Sequence, residues 1–261
     1  MVVVENVLSL PLDRQAAGAL AGALRGRPAI LRHHDLPWQR PASEGDRVPD
    51  DPAWAHVVVN TLAAAELRGR QDIPATVLGN RFRLDGWDVA PSRPRHGPVL
   101  LHPVRAISRK DVPTAVALAE RLGATYWLTG PAEDGYAEEL ADVLAGARCP
   151  VRREPAPAMP GAYAACDAVA FPSTLEGFGN PVVESALARR PLAVRRYPVL
   201  VADLEPLGFR WFEPDDADGR LARFLDDPDT RLLDHNEAVA REGFGLDRLP
   251  GELAAVLERV L

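Results

Sequence analysis

Between Phe171 and Glu184 the chain reads FPSTLEGFGNPVVE. An apolar run ends at Phe171, and Gly177 and Gly179 interrupt the loop behind it. Asn180-Pro181 then opens a helix, with Asn180 as N-cap and Pro181 in the first helical position. The glycines let the main chain come close to a ligand, and the unpaired N–H groups and dipole of a helix start favour an anion. Glu176 and Glu184 stand eight residues apart, one in the loop and one in the first turns of the helix. A carboxylate repels phosphate, so hydroxyl groups are the sensible partners of these two. A ligand that needs both an anion cradle and hydroxyl acceptors is a nucleoside diphosphate sugar.

A second group lies just after the apolar run PVLLHPV, in the loop HPVRAISRKD. Lys110 is the one lysine among 30 basic residues, in a chain rich in Arg, Ala and Pro. Arginine does not replace lysine where a compact, mobile charge is required, so a single lysine here marks such a place. A solvated turn where one lysine survived by chance is the plain alternative.

The string from Pro172 to Glu184 closely resembles the PS-x-x-EGFG-x-P-x-x-E signature of the retaining glycosyltransferase family 4 (glycosyl transferases group 1), which has the GT-B fold of two Rossmann-like domains. The resemblance implies that Gly177, Phe178, Gly179 and Asn180 bind the donor diphosphate. It implies that Glu176 contacts the donor sugar and Glu184 holds the ribose hydroxyls. The family also places an arginine and a lysine after the first strand of the donor domain, and Arg105 and Lys110 match that spacing, with Arg109 as a decoy. Their implied role is preorganised charge where the leaving diphosphate becomes more negative. A histidine often closes an acceptor-domain strand in this family. In HHDLPWQ the best match is His34 before Asp35, expected to hydrogen-bond the donor sugar or to orient the acceptor. Trp38 either stacks on a sugar or covers the sheet edge.

The implied reaction moves a sugar from a nucleoside diphosphate sugar to a hydroxyl acceptor with retained anomeric configuration, the departing diphosphate helping to deprotonate the acceptor. No cofactor or metal is expected: His56, His96, His102 and His235 lack metal-ligand spacing. Asp215-Asp216 reads as a solvated turn. Two rivals stand beside this reading. In one, Glu176 and Glu184 are the paired carboxylates of a glycosidase, which explains neither the glycines nor Lys110. In the other, the chain is a non-catalytic nucleotide-sugar-binding module or an inactive fragment.

The elements that must position these groups alternate as strand and helix, which points to an α/β fold with a mostly parallel sheet. Val2–Val4, PAILRHHD, AHVVVNT and ATVLGN read as strands, the last one buried, with helices at AAGALAGALRG and AAAELRG. DGWDVAPSRPRHG is aperiodic and rich in Pro, Gly and Asp, as an interdomain linker is. The pattern restarts with strands at PVLLHPV, ATYWLTG, Val151, AVAFPS and PLAVRR, and helices at VPTAVALAERLG, YAEELADVLAG, AYAACD and NPVVESALARR. GELAAVLERVL closes the chain as an amphipathic helix. The expected organisation is GT-B-like: a partial acceptor-side Rossmann-like domain over 1–92, a complete nucleotide-sugar donor-binding domain over 93–240, and a C-terminal helix over 241–261.

Two full Rossmann-like domains need roughly 300 residues, and this chain has 261. The glycine-rich loop with which family members usually begin is not visible. Truncation at the start is expected in preference to an unusually small acceptor half, with an exposed sheet edge and self-association through it. A net charge of -7 argues against nucleic acid as a partner. No apolar run is long enough for a transmembrane segment, and the start lacks the basic region of a secretory signal. With only Cys149 and Cys166, a reduced cytoplasmic setting is expected.

Overall fold

Short β-branched and leucine-rich runs separated by helices force parallel crossovers, because the chain must return along a helix before it can add the next strand. The computed structural model describes residues 1–9, 13–39, 45–87, 97–156 and 158–259, and it divides the chain into two units.

The first unit holds Met1–Arg81 with Leu246–Leu261. Its sheet runs β1 (Val2–Glu5), β2 (Ala29–His33), β3 (Trp54–Val58), β4 (Ala75–Val77), in that order and all parallel. Side chains alternate between faces. Ala29, Leu31 and Trp54 meet Ala17, Ala21 and Leu24 of helix α1 (Arg14–Leu24) on one face. Ile30, Ala55 and Val57 meet Val256 of the last helix on the other. Helix α2 (Thr61–Gln71) joins β3 to β4, capped by Asn60, whose Oδ1 accepts from the Ala63 N–H at 2.6 Å. Residues 75–77, expected to be buried, form a partly exposed strand with Val77 at the surface, because β4 pairs only with β3.

The second unit, Phe82–Gly245, carries β5 (Val99–His102), β6 (Thr125–Leu128), β7 (Val151–Arg153), β8 (Ala168–Phe171) and β9 (Leu192–Val194). Its helices are α3 (Val112–Arg121), α4 (Ala137–Ala145), α5 (Met159–Ala164), α6 (Asn180–Leu187), α7 (Arg220–Asp226) and α8 (Thr230–Phe244). The strand order is β7-β6-β5-β8-β9, all parallel. The chain therefore builds outward from β5 in one direction, then restarts at β8 on the other side. Such a reversal separates the loops after two neighbouring strands, and the crevice so made at their carboxyl ends is where doubly wound sheets bind ligands. Here those strands are β5 and β8, and their loops are the two that carry Lys110 and Glu176.

Three features depart from expectation. Helix α8 runs through the 240/241 boundary, and the final helix α9 (Leu249–Leu257) folds back onto the first unit. There Arg81 Nε donates to Glu252 Oε2 at 2.7 Å. Asp216 is buried rather than solvated. Its two oxygens accept from the N–H groups of Leu221 and Ala222 at 2.8 and 3.1 Å and so cap α7. The expected linker falls outside the described residues from 88 to 96, together with His96 and the 92/93 boundary.

Candidate functional site

The loop after β5 is held by a glycine on the neighbouring strand's extension. A Cβ at Gly130 would lie 2.3 Å from the Val104 carbonyl oxygen and 2.8 Å from the Arg105 nitrogen, so the two backbones approach as only glycine allows. The pairing continues past the sheet, with Ala106 N–H donating to Pro131 O at 2.8 Å and Glu133 N–H to Ala106 O at 3.0 Å. Arg105 points along this extension and pairs with Glu133 at 2.6 Å, the arginine exposed and the glutamate half-buried. A 3-10 turn over Ser108–Lys110 comes next. Asp111, in a left-handed conformation, then caps α3 by accepting from the Thr114 N–H at 3.2 Å.

That turn drives Lys110 inward. Its side chain is 10% exposed, its ammonium donates to Glu176 Oε1, and it stands 5.4 Å from the centre of the Phe171 ring. Arg109 donates to Glu176 Oε2 at 3.2 Å and to the Leu175 carbonyl. Burial pushes the Lys110 ammonium below its usual range; the Glu176 carboxylate opposes this, and the Arg109 and Arg105 charges add to it. The two loops are further joined by Thr174 N–H donating to Arg109 O at 2.9 Å. Arg195, just past β9, donates to the Pro172 carbonyl at 2.8 Å and to Asp111, tying the loop after β8 to the start of α3.

The helix start differs by one residue from expectation. Gly179 is the N-cap, at φ 101°, and Asn180 is the first helical residue with Pro181 behind it. Tyr197 explains the shift. Its hydroxyl donates to the Phe178 carbonyl at 3.0 Å, and a Cβ on Gly179 would lie 1.9 Å from that same hydroxyl oxygen. The 178–179 peptide is planar and trans, so a carbonyl turned toward buried Tyr197 leaves the Gly179 N–H on the opposite side. An anion set there meets the Gly179 N–H and the α6 dipole, with the Lys110 ammonium in the adjoining loop.

Glu184 lies one turn into α6, flanked by buried Val182, Val183, Ser185 and Ala186. Tyr163 donates to its Oε2 at 2.8 Å. Burial raises the Glu184 carboxyl above its usual range, and the Tyr163 hydrogen bond opposes that rise.

The second unit thus gathers Lys110, Arg109 and Glu176 into one cluster, with Gly177–Asn180 beside Glu176 and Glu184 farther along α6. Arg105 turns toward Glu133 instead. His34 belongs to the first unit, where its Nε2 sits 2.9 Å from Glu5 Oε2 and its backbone N–H donates to Asn6 Oδ1 at 2.9 Å. Trp38 lies against α2 of the first unit: its indole donates to Glu66 at 2.7 Å, and the Arg70 guanidinium lies 5.0 Å over its ring. Among the histidines given no role, His102 ends β5 fully buried against the Tyr126 hydroxyl at 2.8 Å. Burial, then the Lys110 charge, push it down to about 3, so it stays neutral. His56 bridges His33 and Asp50 at 2.9 and 3.0 Å. Among the described residues no group of three or more His, Cys, Asp or Glu is arranged to hold a metal ion. Tyr163, Tyr197, Gly130 and Arg195 were not picked out by sequence; only Gly130, in the turn TGP, carried a local signal.

No family model matches the chain. Two mannosylglucosylglycerate synthases are similar to it. That of Thermotoga maritima is 24% identical over 322 residues, covering 95% of this chain and 74% of that protein. That of Petrotoga mobilis is 24% identical over 269 residues, covering 80% of this chain and 62% of that protein. Among solved structures, Anabaena HepE in complex with UDP and glucose superposes with a TM-score of 0.72 at 19% identity, over 93% of this chain and 75% of that one. Sucrose-phosphate synthase from Thermosynechococcus elongatus gives 0.71 at 17%, over 94% and 71%. A glycosyltransferase from Rickettsia africae gives 0.72 at 15%, over 99% and 76%. The fold of this chain is therefore α/β with parallel sheets, of the GT-B-like kind that these glycosyltransferases have.

Proposed function

We propose that this chain is a glycosyltransferase that takes a hexose from a nucleoside diphosphate sugar and transfers it, with retained anomeric configuration, to a hydroxyl acceptor. The observation that carries this reading is the meeting, at the strand-order reversal between β5 and β8, of a buried ammonium, the Glu176 carboxylate and a glycine-capped helix start. The relatives at 24% identity, named as mannosylglucosylglycerate synthases, and a neighbour solved with UDP-glucose support it.

In this scheme the diphosphate lies against the N–H groups opening α6. On donor entry Lys110 shares its three N–H donors between Glu176 and a phosphate oxygen. Arg105 leaves Glu133 for the diphosphate; an exposed ion pair of that kind is worth only about 0–1 kcal/mol, so the exchange is cheap. Glu176 accepts from a sugar hydroxyl, and Glu184 from the ribose. As the glycosidic bond breaks, the electron pair goes to the leaving phosphate oxygen, whose added charge meets Lys110, Arg105 and the helix dipole. That oxygen then takes the acceptor's proton, and the new bond forms on the face the leaving group vacates.

The test is incubation of the purified chain with UDP-, GDP- and ADP-hexoses and a panel of hydroxyl acceptors, tracking nucleoside diphosphate release and reading the anomeric configuration of any glycoside product by proton NMR. Release with an α-configured product from an α-configured donor is expected. Tight diphosphate binding with neither transfer nor hydrolysis under any donor would mean a binding module instead.

A further inference from the structure

We propose that Tyr163 is a positioning residue for the ribose of the donor: it fixes Glu184 with one carboxylate oxygen committed and the other presented for ribose hydroxyls. This rests on the reading of Glu184 given above and extends it to a residue outside the motif.

Glu184 is the one residue between Pro181 and Ala188 that is not buried. Among the described residues its hydrogen-bond partner is Tyr163 alone, at Oε2. A carboxylate has about four acceptor positions, so Oε1 remains available. Left alone, a glutamate side chain samples many rotamers and would lose that freedom on meeting a ligand. The phenol removes most of it beforehand.

The support is itself stiff. The Tyr163 ring is fully buried and takes the Trp87 ring edge-on, 5.7 Å between centroids at 66°. The Tyr163 carbonyl accepts from Arg190 Nε at 2.7 Å and from the Cys166 thiol at 3.3 Å, and Arg190 also reaches the Ala164 carbonyl at 3.0 Å. A tyrosine pinned at both backbone and ring, whose hydroxyl ends on a partly exposed carboxylate, is arranged to aim that carboxylate. Packing alone would be served as well by phenylalanine, without burying a hydroxyl.

The experiment is calorimetric titration of the full chain with UDP, ADP and GDP, then with the 2′-deoxy and 3′-deoxy forms of whichever binds tightest, in the wild type, Tyr163→Phe, Glu184→Gln and the double variant. The wild type is expected to prefer the ribose form. Tyr163→Phe should erode that preference about five- to tenfold, the worth of one aimed hydrogen bond. Glu184→Gln should erode it at least as far, and the double variant no further. A Tyr163→Phe protein that keeps the full preference while Glu184→Gln loses it overturns the proposal and leaves the donor reading standing. A wild type that binds no diphosphate, or a ribose preference indifferent to Glu184→Gln, overturns the donor reading itself and the proposal with it. Should Tyr163→Phe not fold, Trp87→Leu frees the ring while keeping the phenol. The same erosion is expected there, and an unchanged preference overturns the proposal.

Discussion

Gly179→Ala puts a methyl carbon 1.9 Å from the Tyr197 hydroxyl oxygen, 3.0 Å from Tyr197 Cζ and 3.3 Å from Phe171 Cε1. The contact cannot persist, and the way out is clear. Tyr197 must retreat, and it then loses its bond to the Phe178 carbonyl, where both groups are buried. Leaving such a pair unmade costs roughly 1–3 kcal/mol. The positive φ of residue 179 adds about 1–2 kcal/mol for a residue with a side chain. The sum, ~2–5 kcal/mol, should lower the melting temperature by roughly 5–20 °C at ~2–4 °C per kcal/mol for a domain of this size. Tyr197→Phe deletes the oxygen at fault and leaves ring-carbon contacts of 3.0 and 3.3 Å that small shifts relieve, so Gly179→Ala in that background should cost mainly the backbone share, about 1–2 kcal/mol. The two changes are therefore strongly non-additive. Differential scanning calorimetry of the four proteins measures the cycle, and UDP titration of the same samples reads the helix start directly. A Gly179→Ala protein with wild-type melting temperature and wild-type affinity, or strictly additive costs, would refute the argument that this glycine shapes the loop for a ligand.

The same geometry sets other expectations. Lys110→Gln should weaken nucleoside diphosphate binding by about 10- to 100-fold, the worth of a charge-assisted hydrogen bond. It should weaken folding less, since Arg109 still holds Glu176; calorimetric titration separates the two effects, and an unchanged affinity counts against the phosphate position. The Glu184 carboxyl is raised above 4.5 in the folded protein, so the folded state holds that proton more tightly than the unfolded one. Its contribution to stability is thus present at low pH and lost as pH rises through the raised value. Glu184→Gln should accordingly match or exceed the wild-type melting temperature at pH 7.5 while abolishing the ribose preference. Diphosphate affinity in the wild type should fall as pH drops through that raised value, and Glu184→Gln should remove this limb. In the first unit Val2 and Val3 are exposed along β1, which among the described residues pairs with β2 alone. If that edge joins copies of the chain, sedimentation velocity should show a concentration-dependent oligomer that Val3→Lys weakens; a monomer at every concentration counts against it.

The strands and the glycine loop before α6 were legible in sequence because their signals are local. Short apolar runs such as VLLH and AVAF, bounded by turn residues, are too short for helices and fit buried strands, and EGFGNP carries its own turn and helix-start chemistry. What sequence did not give rests on pairs of residues far apart in the chain. Tyr163 matters through Glu184, Tyr197 through Phe178 and Gly179, and Gly130 through the backbone at Arg105; the two tyrosines are ordinary residues in their own neighbourhoods, and the turn TGP marks Gly130 without saying what it approaches. Helix α8 escaped for a different reason. Its buried face includes Asn236, which exchanges two hydrogen bonds with the Arg210 backbone at 2.9 and 2.7 Å, so apolar periodicity is interrupted where the helix packs. The last helix was recognised from its amphipathic pattern, but amphipathicity says which face is buried and not against what. Its docking under Ile30, Ala55 and Val57 could not be read from residues 249–257 alone.

The most direct trial is a crystal structure of the chain grown with UDP or whichever nucleoside diphosphate binds tightest. The phosphate oxygens should lie within hydrogen-bond distance of the main-chain N–H groups at the α6 start and of Lys110 Nζ, with a ribose hydroxyl on Glu184 Oε1. A nucleotide bound elsewhere on the molecule, with Lys110 still committed to Glu176 alone, would contradict the account.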